Sequence, residues 1–476
     1  MNKRALILWL VLAPAILLLP AGCALRPAGE KEERQRIEEA GTAYMEPIEA
    51  PPLPENPGPD DYLRRAFLSN SDLQARYWEW RAAIERVPQE SSWPNIAVPF
   101  MVMFSSEQMK LWDRTTLGIA NDPMTNIPFP TKLTAAGRKA LEDARAAGLR
   151  FEAAKFLLQG RVLSTYYDLA LLGESIRIQE GNIQLLRLIA QQSSAQLHTG
   201  AASQQALLKS KTELDLAEND LANLRSQVVP LTAKMNALIG RAATDPAPLP
   251  PSLPAPRDVP LADDQLIVLG AQRSPELAAL AREVAGRTEA LGLAKQAYLP
   301  DFGLSASVTG SLTQTVGGML VLPTRLEAIR GGIEQARANL RAVEAARAQY
   351  QRDLAASFVF NLYVLRNDER QIALFEEVII PRAQQTIKNA QAAYSVGRLT
   401  YADLLEAQRT LLSARLVAAQ LRAEREKALV AIETWSAVDV EAMKPGRITV
   451  QRGPESGGST GGRVPSSGSS GGMGGM

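Results

Sequence analysis

Two acidic side chains near the start of a predicted helix are the clearest candidates for chemistry in this sequence. Asp403 and Glu406 are three residues apart, so a helix places both carboxylates on one face. Carboxylates that share a face can attract cations, whereas acidic residues in the first turn of a helix also complement its dipole. Both interpretations stay open at this point.

The other residues that could bind or catalyse stand alone. One His and one Cys exclude a Cys/His zinc site, a disulfide framework and most His-based catalysis. We interpret His198 as a surface residue, with a metal or pH role as the alternative. We interpret Met101, Met103 and Met109 as packing side chains rather than a soft-metal site. Because no nucleophile motif, phosphate loop or acid–base pair occurs, we predict neither an enzyme nor a bound metal or cofactor.

The N-terminus has the pattern of an export signal. Lys3 and Arg4 precede an apolar run over residues 5–21, which is typical of a secretory signal peptide. Small residues then lead into Cys23, so we predict that residues 1–22 are removed and that Cys23 becomes lipidated. A plain signal peptide with an incidental cysteine and an uncleaved membrane anchor are the alternatives.

Composition excludes several classes of protein and favours helices. The chain has 476 residues with 52 basic and 51 acidic side chains, so no nucleic-acid-binding charge dominates. Hydrophobic residues make up 46% but aromatic residues only 5%, which suits long, close-packed helices of Ala, Leu and Val. Pro-, charge- or Gly/Ser-rich stretches predict an extended tether (23–58), a linker (245–260) and a disordered tail (441–476).

The two segments between these stretches, 59–244 and 261–440, resemble each other. Residues 71–73 match 275–277 at an offset of 204, and FPTKL at 129–133 matches LPTRL at 322–326 at an offset of 193. Further matches at an offset of 197 pair Tyr166 with Tyr363, Gly200 with Gly397, and residues 207–208 with 404–405. An ordered series of this kind indicates an internal duplication.

Each copy predicts one very long helix, a glycine turn and a return helix. Apolar residues at helical spacing predict helices over about 134–199 and 326–396, each roughly 100 Å long. Gly200 and Gly397 end them, and return helices are expected to about residues 240 and 436. Further helices are expected over 59–87 and 263–298, and Pro381 predicts a kink.

Alternating residues between these helices predict four strands. Segments 96–105 and 302–309 have one apolar face, and 114–121 and 313–321 are their expected partners. Strands of this length fit an outer-membrane crossing, but four strands are too few to close a barrel. Oligomerisation is therefore expected. The alternative is a soluble protein with hairpins packed on its surface.

At this point the sequence resembles a known family, the TolC-like outer-membrane efflux proteins of lipoprotein type. The resemblance rests on residues 379–383, residues 393–409 and the segment 297–301 (AYLPD) that leads into a strand. It covers about residues 59–440, including the duplication. It implies a mostly α fold in which a homotrimer forms an α-helical tunnel below a twelve-stranded outer-membrane β-barrel, four strands per chain.

The same resemblance implies a function and roles for particular residues. The protein would be a passive, lipid-anchored exit duct in the outer membrane of a Gram-negative-type bacterium, extending into the periplasm. It would serve a periplasmic adaptor and an inner-membrane transporter of the resistance-nodulation-division type. Asp403 and Glu406 would line the lumen at the gate, and Gly200, Gly397 and Tyr394 would lie at the hairpin tips that meet the adaptor. Ala206 aligns with Asp403, so an acid in both copies is not expected.

Metal ions, drugs and secreted proteins remain open as cargo. A coiled-coil lipoprotein scaffold or an adaptor without a pore is the alternative function.

Overall fold

The chain is a pair of long helical hairpins with a small antiparallel sheet at one end, as a computed structural model describes it. The described residues are 24–45, 52–104, 110–121, 126–198, 203–259, 261–311 and 313–437. The predicted fold class, mostly α with a small β part, is confirmed.

The helices and strands follow one another in two similar series. The first is α1 (Glu30–Met45), α2 (Pro59–Ser69), α3 (Ser71–Ser91), β1 (Ile96–Ala97), β2 (Phe100–Val102), β3 (Thr115–Asn121), α4 (Pro130–His198) and α5 (Gln204–Leu238). The second is α6 (Asp263–Arg273), α7 (Pro275–Lys295), β4 (Asp301–Thr309), β5 (Thr313–Val321), α8 (Leu326–Leu374), a π-helix (Phe375–Ile379), α9 (Ile380–Ser395) and α10 (Tyr401–Ser436).

Two expectations for the shorter helices were wrong. The extended tether contains α1, whose buried Glu33 accepts a hydrogen bond from the indole N–H of Trp80 at 3.0 Å. The single helices expected over 59–87 and 263–298 are each split in two. Asn70 and Ser274 break them by capping the next helix, through the backbone N–H of Leu73 at 3.0 Å and of Leu277 at 3.4 Å.

The predicted interruption near Pro381 takes the form of the π-helix, which ends at Ile379, two residues before that proline. A proline ring clashes with the helical carbonyl four residues earlier, and a π-turn is a common way to absorb such a conflict. Helix α8, the π-helix and α9 have 49, 5 and 16 residues, which in total is one residue more than the 69 residues of α4. The π-helix therefore accounts for a single inserted residue.

The burial pattern shows the same one-residue insertion. The difference in residue number between corresponding buried residues of the two repeats changes at the π-helix. Before the π-helix, buried residues correspond at an offset of 196: Leu158 with Leu354, Val162 with Phe358, and Leu169 with Leu365. After it, they correspond at 197: Leu186 with Ala383, and Ser193 with Ala390. The match of Tyr166 with Tyr363 was thus wrong by one residue, because Tyr167 is the structural counterpart of Tyr363. Likewise, Pro130 and Leu326, which begin the two long helices, differ by 196 rather than 193.

The sheet has the order β1/β2–β3–β4–β5, with all pairs antiparallel. The strand expected over 96–105 is broken into β1 and β2, because Pro99 has no N–H to donate to a ladder. The Pro99 carbonyl still accepts from the N–H of Gly118 at 3.0 Å. The other three strands are confirmed to within one residue. Within the described chain, the outer edges of β1/β2 and of β5 have no partner strand.

Packing is unequal between the two repeats. Helix α4 packs against α3 and α5 of its own repeat and against α7 and α10 of the second. The largest apolar cluster surrounds it and includes Tyr77, Phe151 and Tyr166. Helix α8 packs chiefly against α6, α7 and α10, all of its own repeat, and its first half is mostly exposed.

Candidate functional site

The turn after α9 carries the predicted acidic pair at the far end of the hairpin from the sheet. Gly397 has φ +74, a conformation that favours glycine. Thr400 caps α10, accepting from the N–H of Asp403 at 3.3 Å and donating to its Oδ2 at 2.6 Å. Asp403 and Glu406 are both exposed. The Asp403 carboxylate therefore orders the turn and still faces solvent in the single chain.

Tyr394 lies inside this end of the molecule rather than on its surface. Its side chain is 4% exposed and packs in a cluster with Tyr401 and Leu404. Its hydroxyl is 2.8 Å from the Ser193 Oγ, and its carbonyl accepts from the Gln196 side chain at 2.7 Å. Tyr394 thus joins the end of α9 to the end of α4, one helix from each repeat.

Several candidate residues do not take part in this arrangement. Cys23, Gly200 and Met109 lie outside the described residues. His198 is exposed at the end of α4, and Met101 and Met103 are exposed around β2. Across the described ranges, no group of three or more His, Cys, Asp or Glu side chains is arranged to hold a metal ion.

A buried ionic cluster holds the linker between the repeats against the helices. Arg257 donates to Glu426 at 3.0 Å and to both carboxylate oxygens of Glu433 at 3.0 and 3.1 Å. The Tyr167 hydroxyl donates to Glu426 at 3.3 Å, and Arg425 also contacts Glu426. The cluster therefore connects α4, the linker and α10.

Electrostatics keep Arg257 charged. Burial opposes ionisation of Arg257, but the carboxylates of Glu433 and Glu426 outweigh it and raise the pKa of the guanidinium. Burial raises the pKa of the Tyr167 hydroxyl, which therefore stays a donor. Sequence patterns gave no sign of this cluster, because its partners are 169 or more residues from Arg257 or on another helix.

The sheet at the opposite end has two chemically different faces. The register pairs Leu117 with Val308 on one face and Thr116 with Thr309 on the other, and the two threonine hydroxyls are 2.8 Å apart. The first face is mostly apolar: besides Thr115, Gln314 and Gly318 it carries Phe100, Val102, Leu117, Ile119, Phe302, Leu304, Ala306, Val308, Val316 and Leu320. A sheet with one apolar and one small polar face suits a boundary between lipid and water.

The junction between sheet and helices is fixed by a salt bridge. Lys132, in the first turn of α4, contacts the Asp301 carboxylate and the Leu299 carbonyl, each at 2.7 Å. On the same side, the N–H of Leu25 donates to the Ser91 carbonyl at the end of α3 at 3.0 Å. The first described residues of the chain therefore lie at the end of α3 that leads into the sheet.

Among the helices that the structure describes, none combines the length and apolar character needed to cross a bilayer.

Long paired helices that end in a two-faced sheet with open edges define a subunit of an outer-membrane channel. The chain belongs to the outer membrane efflux protein family, whose model matches residues 62–241 and 266–437. It is an outer-membrane efflux channel component of the type that works in tripartite systems.

Individual relatives agree with this assignment. The cobalt-zinc-cadmium resistance protein CzcC of Cupriavidus metallidurans is 23% identical over 370 residues, covering 74% of this chain and 84% of that protein. The fold is similar to that of CusC (TM-score 0.67, 16% identity, 87% of this chain and 99% of CusC). It is also similar to VceC of Vibrio cholerae (TM-score 0.68, 16% identity, 80% and 96%).

Proposed function

We propose that three copies of this chain form a passive exit duct across the outer membrane and the periplasm. Two observations support the trimer: the sheet has two open edges, and α8 lacks the contacts that α4 receives from the other repeat. Four strands cannot close a barrel alone, whereas three chains supply twelve. The long helices would continue this barrel as a tunnel, with no chemical step in transport.

The gate in this proposal is the end of the tunnel that carries Gly397. Asp403 and Glu406 of three chains would place six carboxylates around the opening, which favours cations. Tyr394, being buried, would hold the hairpins together there rather than touch a partner directly. The turns at Gly200 and Gly397 would meet a periplasmic adaptor, and an inner-membrane transporter of the resistance-nodulation-division type would supply the energy.

The same proposal includes a lipid anchor at Cys23. The hydrogen bond between Leu25 and Ser91 supports it, because it holds a residue two positions after Cys23 at the end of α3 that leads into the sheet. An acyl chain on Cys23 would then lie level with the membrane leaflet that faces the periplasm.

Divalent transition-metal cations are the cargo we favour. The relative CzcC is named for resistance to cobalt, zinc and cadmium, and the exposed acidic pair at the tip suits cations. Loss of the gene should therefore sensitise cells to these ions and leave sensitivity to uncharged drugs unchanged. The reverse pattern would overturn the cargo assignment without affecting the duct.

The lipidated protein in detergent provides the first test. We expect a mass of three chains and cation-selective, flickering conductance in a planar bilayer. Deletion of residues 299–322 should abolish insertion while leaving the helices folded. A monomer without conductance, released from membranes by Cys23→Ala, would instead indicate an anchored scaffold.

A further inference from the structure

Three methionines lie on the polar face of the sheet, at its two open edges. On the β1/β2 edge, Met101 pairs with Thr116 of that face. The ladder continues to Met103, whose N–H donates to the Arg114 carbonyl at 2.8 Å, so its side chain lies two positions further along the same face. Met319 lies on the same face at the β5 edge. The three side chains are 64%, 62% and 56% exposed, so they are not packed within the described chain.

The two halves of the sheet are copies of one hairpin. Their first strands match at an offset of 206, as WPNI at 93–96 and LPDF at 299–302 show. Their second strands match at an offset of 199, as TLG at 116–118 and TVG at 315–317 show. These two offsets carry the observed register of the first hairpin onto that of the second. The contact between the hairpins inside one chain is therefore a guide to the contact between copies.

The seam between copies is the pairing of the β5 edge of one copy with the β1/β2 edge of the next. Inside the chain, the equivalent pair β3–β4 sets Gly118 opposite Ser307. A barrel closes evenly when each strand pair has the same stagger. Carried over by the two offsets, this register sets Gly317 of one copy opposite Met101 of the next, with Met103 two positions further along the same strand.

We propose that Met319 of one copy and Met101 and Met103 of the next form a binding site for a soft cation on the inner wall of the barrel. Gly317 leaves the space opposite Met101 free of a side chain, and Met319 is the diagonal neighbour of Met101. Diagonal neighbours are about 7–8 Å apart, within reach of long side chains. Flexible thioethers are soft ligands of the kind that select Cu⁺. The site rests on the proposed duct and adds a chemical preference to its cargo.

The seam inside the chain has different chemistry at the same positions. Ser307 and Thr309 take the places of Met101 and Met103 there, and the hydroxyls of Thr309 and Thr116 are 2.8 Å apart. A general need for an apolar lining would put methionine at both kinds of seam. In the part of the sheet that the structure describes, methionine occurs only at the edges that would meet between copies.

A site of this kind would hold an ion only in passing. Thioethers carry no charge, and conduction requires binding that is weak enough for the ion to leave. Zn²⁺ is better served by imidazole or thiolate ligands, so it would gain little from this wall. We therefore expect the barrel to retain soft cations longer than borderline ones.

Silver ions provide the probe, because Ag⁺ is soft like Cu⁺ and needs no reductant. The full-length protein in detergent and chloride-free nitrate buffer should bind one more Ag⁺ per seam than the variant Met101→Leu with Met103→Leu and Met319→Leu, measured by equilibrium dialysis. Leucine conserves side-chain volume, and Zn²⁺ binding should be equal in both proteins. The control is Met235→Leu, a fully buried methionine, which should bind Ag⁺ like the unmodified protein.

The same variants can be compared in a planar bilayer. Ag⁺ should interrupt the current through the unmodified channel and through Met235→Leu, and the triple variant should lose this block. A triple variant that binds Ag⁺ as well as the unmodified protein, or that is blocked equally, would overturn the site.

Cross-linking tests whether the methionines meet across the seam. Gly317→Cys with Met101→Cys should give, under mild oxidation, bands of two and three chains. The control is Thr309→Cys with Met101→Cys, because Thr309 lies on the same face but two strands from Met101 and away from the seam; it should give no such bands. A conducting trimer without the expected bands would overturn the site and leave the duct intact. A monomer that neither cross-links nor conducts would overturn the duct and the site together.

Discussion

The hydroxyl of Tyr394 and the Oγ of Ser193 are 2.8 Å apart in a buried position, and they connect the two hairpins near their tips. Among the described residues, Gln408 with Asn182, Gln196 with Tyr394, and Arg409 with Glu213 also join the repeats in this region. Movement of one hairpin against the other would break these bonds first, so they are the natural place to test gating.

Tyr394→Phe should make the channel open more often. The variant removes one buried hydrogen bond, worth about 1 kcal/mol, and leaves the ring packing in place. Single-channel recordings should show longer open times with little change in Tm. Tyr401→Phe is the matched control, because the Tyr401 hydroxyl is buried without a hydrogen-bond partner among the described residues. Equal behaviour of the two variants would contradict the role of Tyr394.

Neutralising the acidic pair should reduce cation selectivity. Asp403→Asn with Glu406→Gln keeps the size of both side chains, and Asn can still accept from Thr400. Reversal potentials in asymmetric salt should move towards zero, and conductance should rise as repulsion between carboxylates disappears. Glu344→Gln, at an exposed position on α8, should change neither quantity. Unchanged selectivity in the double variant would exclude a lumenal position for the pair.

Arg257→Gln should destabilise the chain by about 3–5 kcal/mol, because it removes the cation that contacts both buried carboxylates, Glu426 and Glu433. Denaturant melts measure this loss. Adding Glu426→Gln and Glu433→Gln should recover most of the stability, whereas the exposed Arg330→Gln should cost less than about 0.5 kcal/mol.

The π-helix should be removable. Deletion of Glu377 with Pro381→Gln shortens the path to the length of α4 and removes the proline, so the helix should close as a regular α-helix. We expect a trimer with nearly unchanged Tm. Deletion of the exposed Arg352 is the control: it rotates the following buried residues by about 100° relative to the preceding helix and should prevent folding. A severe loss in the first variant would mean that the π-turn itself is required.

Asp368 should make stability fall as pH rises. Burial, and then the nearby Glu424, raise the pKa of this carboxyl above its ordinary value. Folding therefore favours the protonated form. The penalty is absent below the unfolded pKa, grows as pH rises from the unfolded to the folded pKa, and is constant above the folded pKa. Asp368→Asn should add on the order of 1 kcal/mol at pH 7 and little near pH 4. Asp353→Asn, an exposed control, should show no gain.

Periodicity and turn chemistry were enough to predict the long helices and most of the sheet. Pro130 begins α4 within four residues of the expected start, and the return helices, which Ser203 and Thr400 cap, end within two residues of the expected positions. These features depend on neighbours in sequence, which is why they were predictable. The break at Asn70 was missed because a capping asparagine inside an apolar-periodic run is compatible with a continuous helix.

The parts that sequence reasoning missed depend on residues far apart in the chain. Arg257 lies in a Pro-rich stretch that looked like a plain linker, and only the fold brings Glu426 and Glu433 to it. Tyr166 was matched with Tyr363 because both residues are tyrosines at the offset of 197 that holds after the π-helix. Before the π-helix the buried residues correspond at an offset of 196, so the counterpart of Tyr363 is Tyr167. Tyr394 was expected at the surface of the tip, since a motif match carries no information about exposure.

Pro99 makes the two open edges of the sheet unequal. One edge is interrupted after two residues of β1, whereas β5 presents nine residues without a break. A chain with two identical edges could pair either edge with the same edge of a second copy. The resulting two-fold dimer could not grow into a ring. Here the interrupted edge is a poor partner for itself. Pairing of the β1/β2 edge of one copy with the β5 edge of the next, which can close into a ring, is therefore favoured over two-fold pairing of identical edges. Pro99→Val should therefore increase off-pathway dimers during refolding, visible by native mass.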